Sequence, residues 1–251
     1  MPVRTFPDLH PVRVLFEGLR IVEPYPTGVV AVPRQIPGSN FFPGGVGIWC
    51  GDATIVPPLP VGGVMVLGQD FHTLAGYNEV LNAARESFTD PTWRNLLQVL
   101  DRVPIRLSHC FFTNVYMGLR ESNLATGPFA GSSNAGFVSR CQQFFLEQLK
   151  IQKPRLILSL GQPVLEFLAP LSRDLKVWGR PAGTFHERDK ARTSLIECAR
   201  FSDAAIECTI VSLLHPCFRP SNLRFRMWRG LAGDDAELAL IRDGKDAAGI
   251  L

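Results

Sequence analysis

The sequence predicts an α/β fold in three layers, α/β/α, with a central, mainly parallel four-stranded sheet between the helices. Two observations predict it. Four short stretches are dominated by consecutive apolar residues and lack the alternation of a half-exposed strand; they lie at 62–70, 110–116, 155–160 and 208–214. Stretches with helical spacing of apolar residues separate them, as expected where each parallel strand needs a crossover helix.

The remaining elements follow from the same kind of spacing. Residues 1–60 are rich in Pro and Gly, which predicts an irregular N-terminal wrap with at most a short hairpin. Helices are predicted where apolar residues recur every three or four positions, at 77–86, 91–102, 137–149 and 163–168. The polar stretch 172–205 predicts irregular structure, and the residues after 231 predict a solvated helix and tail.

Composition indicates an ordinary globular protein. With 46% hydrophobic and 20% charged residues over 251 positions, the chain is not of the intrinsically disordered class. We therefore predict a single domain over 1–251, with 61–230 as its core. The net charge of +3 is compatible with a polyanionic partner but does not by itself indicate nucleic acid.

Neither a membrane segment nor a cysteine framework is predicted. No apolar run is long enough to span a bilayer and the N-terminus has no apolar signal core, so we expect a cytoplasmic monomer without membrane contact. The six cysteines, at 50, 110, 141, 198, 208 and 217, include no C-x-x-C pair. We interpret them as reduced thiols, because neither a zinc site nor a disulfide framework has the expected spacing.

Polar side chains follow three of the four predicted strands. Gln69 and Asp70 come after the first, Asn114 lies at the end of the second, and His215 follows the fourth. Parallel sheets bind ligands beyond the carboxyl ends of their strands, so we expect these residues to meet at one edge. Each residue alone is common in turns, and only their conjunction indicates a functional site.

The three residue types suit hydrolysis of an N-glycosidic bond in DNA. A carboxylate such as Asp70 stabilises an oxocarbenium-like sugar or orients a water, and the two roles stay open. A neutral imidazole such as His215 donates a hydrogen bond to the carbonyl oxygen of the departing base. The Asn114 amide both accepts and donates on the Watson–Crick edge, which distinguishes uracil from cytosine.

An enzyme of this type must also extrude the target base from the stack, which requires a wedge beside the pocket. The segment after His215 offers apolar and basic side chains for that task. We predict that the DNA-contacting residues are Phe218, Arg219, Ser221 and Leu223, with Arg219 also suited to hold a phosphate.

Four segments resemble motifs of the uracil-DNA glycosylase superfamily, in the right order. GQD at 68–70 resembles the first motif, whose acidic residue directs water, and HPCFRPSN at 215–222 resembles the last, His-Pro-Ser followed by a DNA-intercalating loop. FFTNVYMGLR at 111–120 and CQQFFLEQLKIQKPRLILSLGQPVLEFL at 141–168 are similar to the iron–sulfur branch. The resemblance covers about 60–230 and implies the superfamily's fold, with uracil-containing DNA, single- or double-stranded, as partner.

Departures from the superfamily pattern determine the cofactor prediction. The iron–sulfur branch holds its cluster with four cysteines, whereas this chain has Met117 where one would fall and only Cys141 at a ligand position. We therefore expect no cluster, no other metal and no organic cofactor. A lone metal bound through Cys141 and distant thiols stays open as an alternative.

Other departures concern the base pocket. The classical branch continues GQD with Pro-Tyr, whereas this chain has Phe71 and His72, and the phenylalanine expected to stack on uracil falls near Ala83. We therefore name as base-binding residues the amides and the nearest aromatics: Gln69, Phe71, Tyr77, Asn114 and Phe42. Cys217 stands in place of the serine of the last motif.

The leading hypothesis is a monofunctional glycosylase that excises uracil from DNA, with Asp70 and His215 as catalytic residues. The same pocket also suits another deaminated base such as hypoxanthine, or uracil in mismatches only. A second hypothesis is a DNA- or uracil-binding module of the same fold with little turnover. A third, an unrelated doubly wound enzyme, has no G-x-G-x-x-G loop, P-loop or nucleophile elbow to support it.

Overall fold

A computed structural model describes residues 11–33, 59–83, 88–181 and 183–250 of the chain. Eight α-helices lie within these ranges. They are α1 (Pro11–Gly18), α2 (Leu74–Ala83), α3 (Pro91–Arg102), α4 (Ala135–Gln152), α5 (Gln162–Leu168), α6 (Phe185–Lys190), α7 (Arg219–Asn222) and α8 (Gly233–Ala247). None of them is long and apolar enough to cross a membrane.

The strands of the same ranges form one large sheet and two small pairs. They are β1 (Val29–Val30), β2 (Val64–Gly68), β3 (Cys110–Asn114), β4 (Leu119–Arg120), β5 (Leu156–Leu160), β6 (Leu195–Phe201), β7 (Ile206–Leu213), β8 (Met227–Trp228) and β9 (Leu231–Ala232). The large sheet has the order β3-β2-β5-β7-β6, in which β6 alone runs antiparallel. The fold is therefore mixed α/β with a mostly parallel central sheet flanked by helices.

The four parallel strands are the four predicted ones, and each is an apolar run buried on both faces. Side chains of β2 alternate between two hydrophobic clusters: Met65 and Leu67 belong to one, Val64 and Val66 to the other. The first cluster includes buried residues of α1, α4 and α5, and the second includes those of α3 and α8. This arrangement is compatible with the predicted three layers.

Local signals explain where two of the crossover helices begin. Asp90 caps α3 by accepting a hydrogen bond from the Thr92 N–H at 2.8 Å, and Pro91 occupies the first position of the helix. Asn134 caps α4 in the same way, accepting from the Phe137 N–H at 2.9 Å. The predicted range of α3, 91–102, is confirmed.

The predicted count of four strands is wrong, because the sheet has a fifth. Strand β6 lies in the stretch that the sequence predicted to be irregular, and its exposed and buried residues do not alternate regularly. It pairs with β7 through a register shift between Ile196 and Ala199, so no unbroken strand pattern is visible in the sequence. β6 is one of two edge strands, the other being β3, and as a partly exposed antiparallel edge strand it needs no continuous apolar run.

The two chain ends also differ from prediction. Helix α1 lies inside the predicted irregular wrap, and β1 pairs with β4 rather than forming a local hairpin. Helix α8 is not a solvated tail: Leu238, Leu240 and Ile241 are buried in the core, which therefore extends beyond residue 230. Asp235, Arg242 and Asp246 of α8 are exposed, and charged residues such as these suggested a solvated helix, although Glu237 of the same helix is buried.

A prediction follows from the close packing of α8 on β7. A Cβ at Gly244 would lie 2.3 Å from Cγ2 of the buried Val211. We expect Gly244→Ala to lower the free energy of unfolding by about 1–3 kcal/mol, although alanine is the better helix former. Denaturant titration measures the change, with the exposed Asp246→Ala on the same helix as control. Equal stability of the two variants would mean that α8 does not approach β7 this closely.

Candidate functional site

The described residues line an open cleft of about 970 Å³ along the carboxyl ends of the parallel strands. Asp70, Asn114 and His215, predicted from three separate segments, all line it. Gln69, Phe71, Tyr77 and Phe218 of the predicted set also line the cleft, whereas Phe42 lies outside the described residues.

Sheet topology explains this convergence. From β2 the chain passes to β3 on one side and then to β5 on the other, so the strand order reverses at β2. Such a reversal leaves a crevice at the carboxyl edge, since the two crossovers diverge to opposite sides. Gly68, the last residue of β2, pairs in register with Asn114 of β3, and this pairing fixes Asn114 beside the segment that carries Asp70.

Asp70 forms a buried ion pair with Arg120, a residue that the sequence did not single out. Nε of Arg120 donates to Oδ1 of Asp70 at 3.0 Å, and Nη2 donates to Oδ2 at 2.8 Å. The two side chains are only 8% and 6% exposed, respectively. A two-pronged contact of this kind fixes the plane of the carboxylate as well as its position.

The same guanidinium also binds the backbone of the long loop after β4. Nη1 donates to the carbonyl oxygens of Thr126 at 3.3 Å and Pro128 at 3.2 Å, and Nη2 donates to that of Gly127 at 2.8 Å. These three loop residues line the cleft and are exposed on their outer side. Arg120 therefore joins one wall of the cleft to the carboxylate on its floor.

The turn that follows Asp70 is held in an uncommon backbone conformation. His72 has a φ of 76°, in the left-handed region, and its N–H donates to Oδ1 of Asp70 at 3.2 Å. A Cβ at Gly76 would lie 2.2 Å from Nδ1 of His72, so only glycine admits the imidazole there. The hydroxyl of Thr73 accepts from the Gly76 N–H at 3.0 Å and thereby caps α2.

His215 lies where β7 ends and a short 3-10 turn, Pro216–Phe218, begins. The Cys217 N–H donates to Nδ1 of His215 at 3.4 Å, and Sγ of Cys217 lies 3.0 Å from the same nitrogen. We assign the proton of the neutral ring to Nε2, because Nδ1 acts as an acceptor here. The Nε2–H is then available as a donor.

Burial lowers the pKa of His215 below its ordinary value, while the negative charges of Asp70 and Asp90 partly oppose the shift. The neutral imidazole is therefore favoured at neutral pH. A neutral ring that donates through Nε2 polarises an acceptor without giving up its proton in the ground state.

Contacts from distant parts of the chain hold the His215 segment. Gly161 has a φ of 90°, and a Cβ there would lie 3.2 Å from Cβ of His215, so this glycine allows the two strand ends to approach closely. The Asn95 amide donates to the Pro216 carbonyl oxygen at 2.8 Å. The guanidinium of Arg226, only 1% exposed, donates to the Ser212 carbonyl oxygen at 3.1 and 3.2 Å.

Aromatic rings form much of the cleft wall. Phe71 and Tyr77 are buried and line the cleft, as do Tyr116 and Phe129. Tyr116 stacks on Phe129 with ring centres 5.1 Å apart, and burial is the main reason that its pKa is raised to about 12. The last two residues were not predicted: Tyr116 lies in an apolar run that does not reveal which of its members reach the cleft, and Phe129 lies in a loop without a periodic pattern.

A second polar cluster, also unpredicted, lines the far end of the cleft. The Gln162 amide donates to Glu166 at 3.2 Å, and Glu166 accepts an ion-paired hydrogen bond from Arg180 at 2.8 Å. A signal for it existed: a Gly-Gln pair stands at the end of both strands, with Gly161-Gln162 directly after β5 and Gly68-Gln69 at the last residue of β2 and the one after it.

Of the four predicted DNA-contacting residues, Phe218 alone lines the cleft. Phe218 is 52% exposed and lines the cleft, with its ring centre 5.8 Å from that of His215. Arg219 is buried and forms an ion pair with Asp234, so its guanidinium points away from the cleft in this structure. Ser221 is exposed and Leu223 half-buried, and neither lines the cleft.

Candidate metal ligands do not cluster in the part of the chain that the structure describes. No group of three or more His, Cys, Asp or Glu side chains lies close enough there to hold a metal ion. Cys141 is buried, and its Sγ accepts a hydrogen bond from the Met117 N–H at 3.5 Å. Burial is the main reason that the pKa of this thiol is raised to about 12, which disfavours the thiolate that binds metals.

The lowered pKa of His215 predicts a pH dependence of stability. The unfolded chain binds the proton more readily than the folded one, so stability is unaffected above the ordinary pKa and is lost as pH falls through and below it. We expect the His215 ring signal in an NMR titration to move at a pH below about 6.5. His215→Gln assigns the signal by removing it, and a midpoint above 6.5 would contradict the described burial.

The buried ion pair predicts that Asp70→Asn destabilises the fold. An amide cannot satisfy both donors of Arg120 and leaves its buried charge without a partner, so we expect a loss of about 2–4 kcal/mol in unfolding free energy. Asp174→Asn is the matched control, since Asp174 accepts from Arg200 in the same two-pronged way at the surface. Denaturant titration should give it a smaller loss. Equal losses would mean that the Asp70 pair is not buried.

Comparison of the chain with models of known protein families and with curated proteins finds no match. The assignment of a function therefore rests on the cleft itself. What a function must explain is the meeting of a buried, arginine-bound carboxylate, a buried amide and a neutral histidine at one edge of a parallel sheet.

Proposed function

We propose that this chain is a monofunctional DNA glycosylase that extrudes uracil from DNA and hydrolyses its N-glycosidic bond. One observation carries the proposal: Asp70, Asn114 and His215, which lie far apart in the sequence, line a single cleft at the reversal point of the sheet. The order of the motifs that resemble the uracil-DNA glycosylase superfamily supports it further. The proposal includes a uracil-DNA glycosylase-like three-layer fold, DNA as partner, action as a monomer and no cofactor.

Asn114 is suited to read the base. Its side chain is only 2% exposed at the end of β3, and the register with Gly68 restricts its position. A buried amide in a fixed position discriminates strongly, because a base with the wrong edge does not form the hydrogen bonds that the right base forms. Gln69, Phe71 and Tyr77 line the same cleft and offer a further amide and two rings for the base.

His215 is suited to stabilise the leaving base. When the glycosidic bond breaks, the bonding electrons go to the base, and negative charge develops on its carbonyl oxygens. A neutral Nε2–H that donates to such an oxygen lowers the energy of the charged transition state. The lowered pKa of His215 keeps the ring in this neutral form.

Asp70 is suited to act by its fixed charge. Oδ1 accepts from both Arg120 and the His72 N–H, and Oδ2 accepts from Arg120. Oxygens that already accept strong hydrogen bonds are poorer bases toward a water, so the geometry favours stabilisation of the sugar cation over proton abstraction. The water that completes hydrolysis then adds to the sugar cation, and its proton passes to the departed base anion or to solvent rather than to Asp70.

The exposed Phe218 beside His215 is suited to fill the space that an extruded base leaves in the stack.

The cleft exceeds the size of a single pyrimidine, so a purine such as hypoxanthine is a second substrate to test. Excision of hypoxanthine would widen the substrate range without changing the type of reaction.

The test is a cleavage assay on end-labelled single-stranded and duplex DNA, each with one uracil, hypoxanthine or mismatched thymine, followed by alkali to cut abasic sites. We expect strand breaks at uracil. The absence of strand breaks on every substrate, with protein that is folded and binds DNA, would contradict glycosylase activity.

Variants of the three central residues should separate chemistry from folding. We expect His215→Gln and Asp70→Asn each to lower kcat by about 10²–10⁴, and Asn114→Ala to lower kcat/KM for uracil by about 10² or more. His109→Gln is the matched control, because His109 is exposed and precedes β3 at the opposite edge of the sheet. A variant with wild-type rates would remove its residue from the mechanism.

One observation favours a second candidate, a uracil- or DNA-binding module with little turnover. Arg120 neutralises much of the negative charge of Asp70, and a weaker negative field stabilises a sugar cation less. Binding of uracil-containing DNA in preference to undamaged DNA, without release of free base in single-turnover conditions, would favour this candidate over the first.

A further inference from the structure

We infer that Arg120 is the positioning residue of this site: it orients the Asp70 carboxylate and couples it to the loop residues 126–128. Its role in activity rests on the proposed function, whereas the coupling itself is a property of the fold and is measurable without DNA.

The first support is the complete use of the guanidinium. Arginine carries five N–H donors, and five acceptors lie within 3.3 Å of its nitrogens: the two oxygens of Asp70 and the three loop carbonyls. No donor is left over, so the group has a single orientation in which all are satisfied. Lysine carries three donors and no planar fork, and it reproduces neither the two-pronged contact nor the span of the loop.

The second support is that the backbone of Arg120 is fixed as well. Its N–H donates to the His72 carbonyl oxygen at 2.9 Å, and Arg120 pairs with Val29 in the small β1–β4 sheet. Arg120 also forms an isolated bridge with Thr73, in the turn after Asp70. A side chain fixed at both ends transmits the position of one contact to the other.

The third support is the exposure of the loop. Residues 121–128 are all exposed, so none of their side chains is buried to anchor the loop. The carbonyl contacts to Arg120 anchor it instead. Immediately after them, Phe129 is buried, with Cζ of Arg120 5.6 Å from its ring centre. A loop held mainly through one guanidinium loosens when that guanidinium loses its other partner, Asp70.

The consequence for the reaction is specific. If Arg120 acts through Asp70, its replacement misorients the carboxylate in the transition state and lowers kcat, while the contacts that set KM persist. A residue that only stabilises the fold would lower the amount of folded enzyme and leave both constants of the folded fraction unchanged.

The activity test is a double-mutant cycle of Arg120→Lys and Asp70→Asn, with kcat and KM measured for uracil excision. We expect each single variant to lower kcat by about 10-fold or more with KM within about 3-fold, and the double variant to be no slower than the slower single one. Arg140→Lys is the matched control, since Arg140 also binds two carbonyl oxygens, those of Val22 and Pro24, but does not line the cleft. Multiplicative losses, or wild-type kcat in Arg120→Lys, would overturn the inference.

The second measurement needs no substrate. We expect the backbone amide order parameters of residues 121–127 and 129, measured by NMR relaxation, to fall in both Asp70→Asn and Arg120→Lys and to stay unchanged in Arg140→Lys. Should wild-type protein excise nothing while this pattern is found, the proposed function fails and the coupling stands. Unchanged order parameters in Asp70→Asn would overturn the coupling whatever the enzyme does, and Arg120→Gln repeats the test without a charge.

Discussion

The parallel pairing of β2 with both β3 and β5 is the constraint on which the rest of the structure depends. It directs the two following crossovers to opposite sides and leaves the carboxyl end of β2 open between them. The buried amide of β3 and the segment after β2 are then brought together by register alone. Neither face of these strands is free for functional residues, because both carry the hydrophobic core. Function is therefore confined to the strand ends.

A buried ion pair connects the end of β7 to the segments that pack on it. Asp189 and Arg226 form an ion pair at 3.1 Å with almost no exposure, and Asp189 also accepts from the Met227 N–H at 2.9 Å. Arg226 also donates a hydrogen bond to the Ser212 carbonyl oxygen in β7, close to where the His215 segment begins. Buried ion pairs contribute little net stability, but they favour a single arrangement of the chain. Breaking either contact leaves a buried charge without a partner. The conformation of the chain at the end of β7, next to His215, is thus restricted more tightly than apolar packing alone would restrict it.

The sequence predicted the parts of the fold and site that depend on local pattern. Apolar runs and their separation identified the four parallel strands, and a polar residue at a strand end was enough to nominate Asp70, Asn114 and His215. It did not predict Arg120, because an ion pair across fifty positions leaves no periodic trace and the preceding run is apolar. Strand β6 was missed for a related reason: an irregular edge strand that relies on one neighbour needs neither alternation nor a continuous apolar run.

The edge strand β6 also bears on pairing between the sheets of two molecules. An open strand edge offers unpaired amides and carbonyls to any extended chain, and sheets ending this way tend to grow by edge-to-edge addition. In β6 the register shift between Ile196 and Ala199 distorts the strand. The neighbouring Arg200 is ion-paired with Asp174 at 2.8 Å. A templating strand would have to follow the irregularity and displace the ion pair. The irregularity that hides β6 in the sequence therefore also makes β6 a poor template for edge-to-edge aggregation.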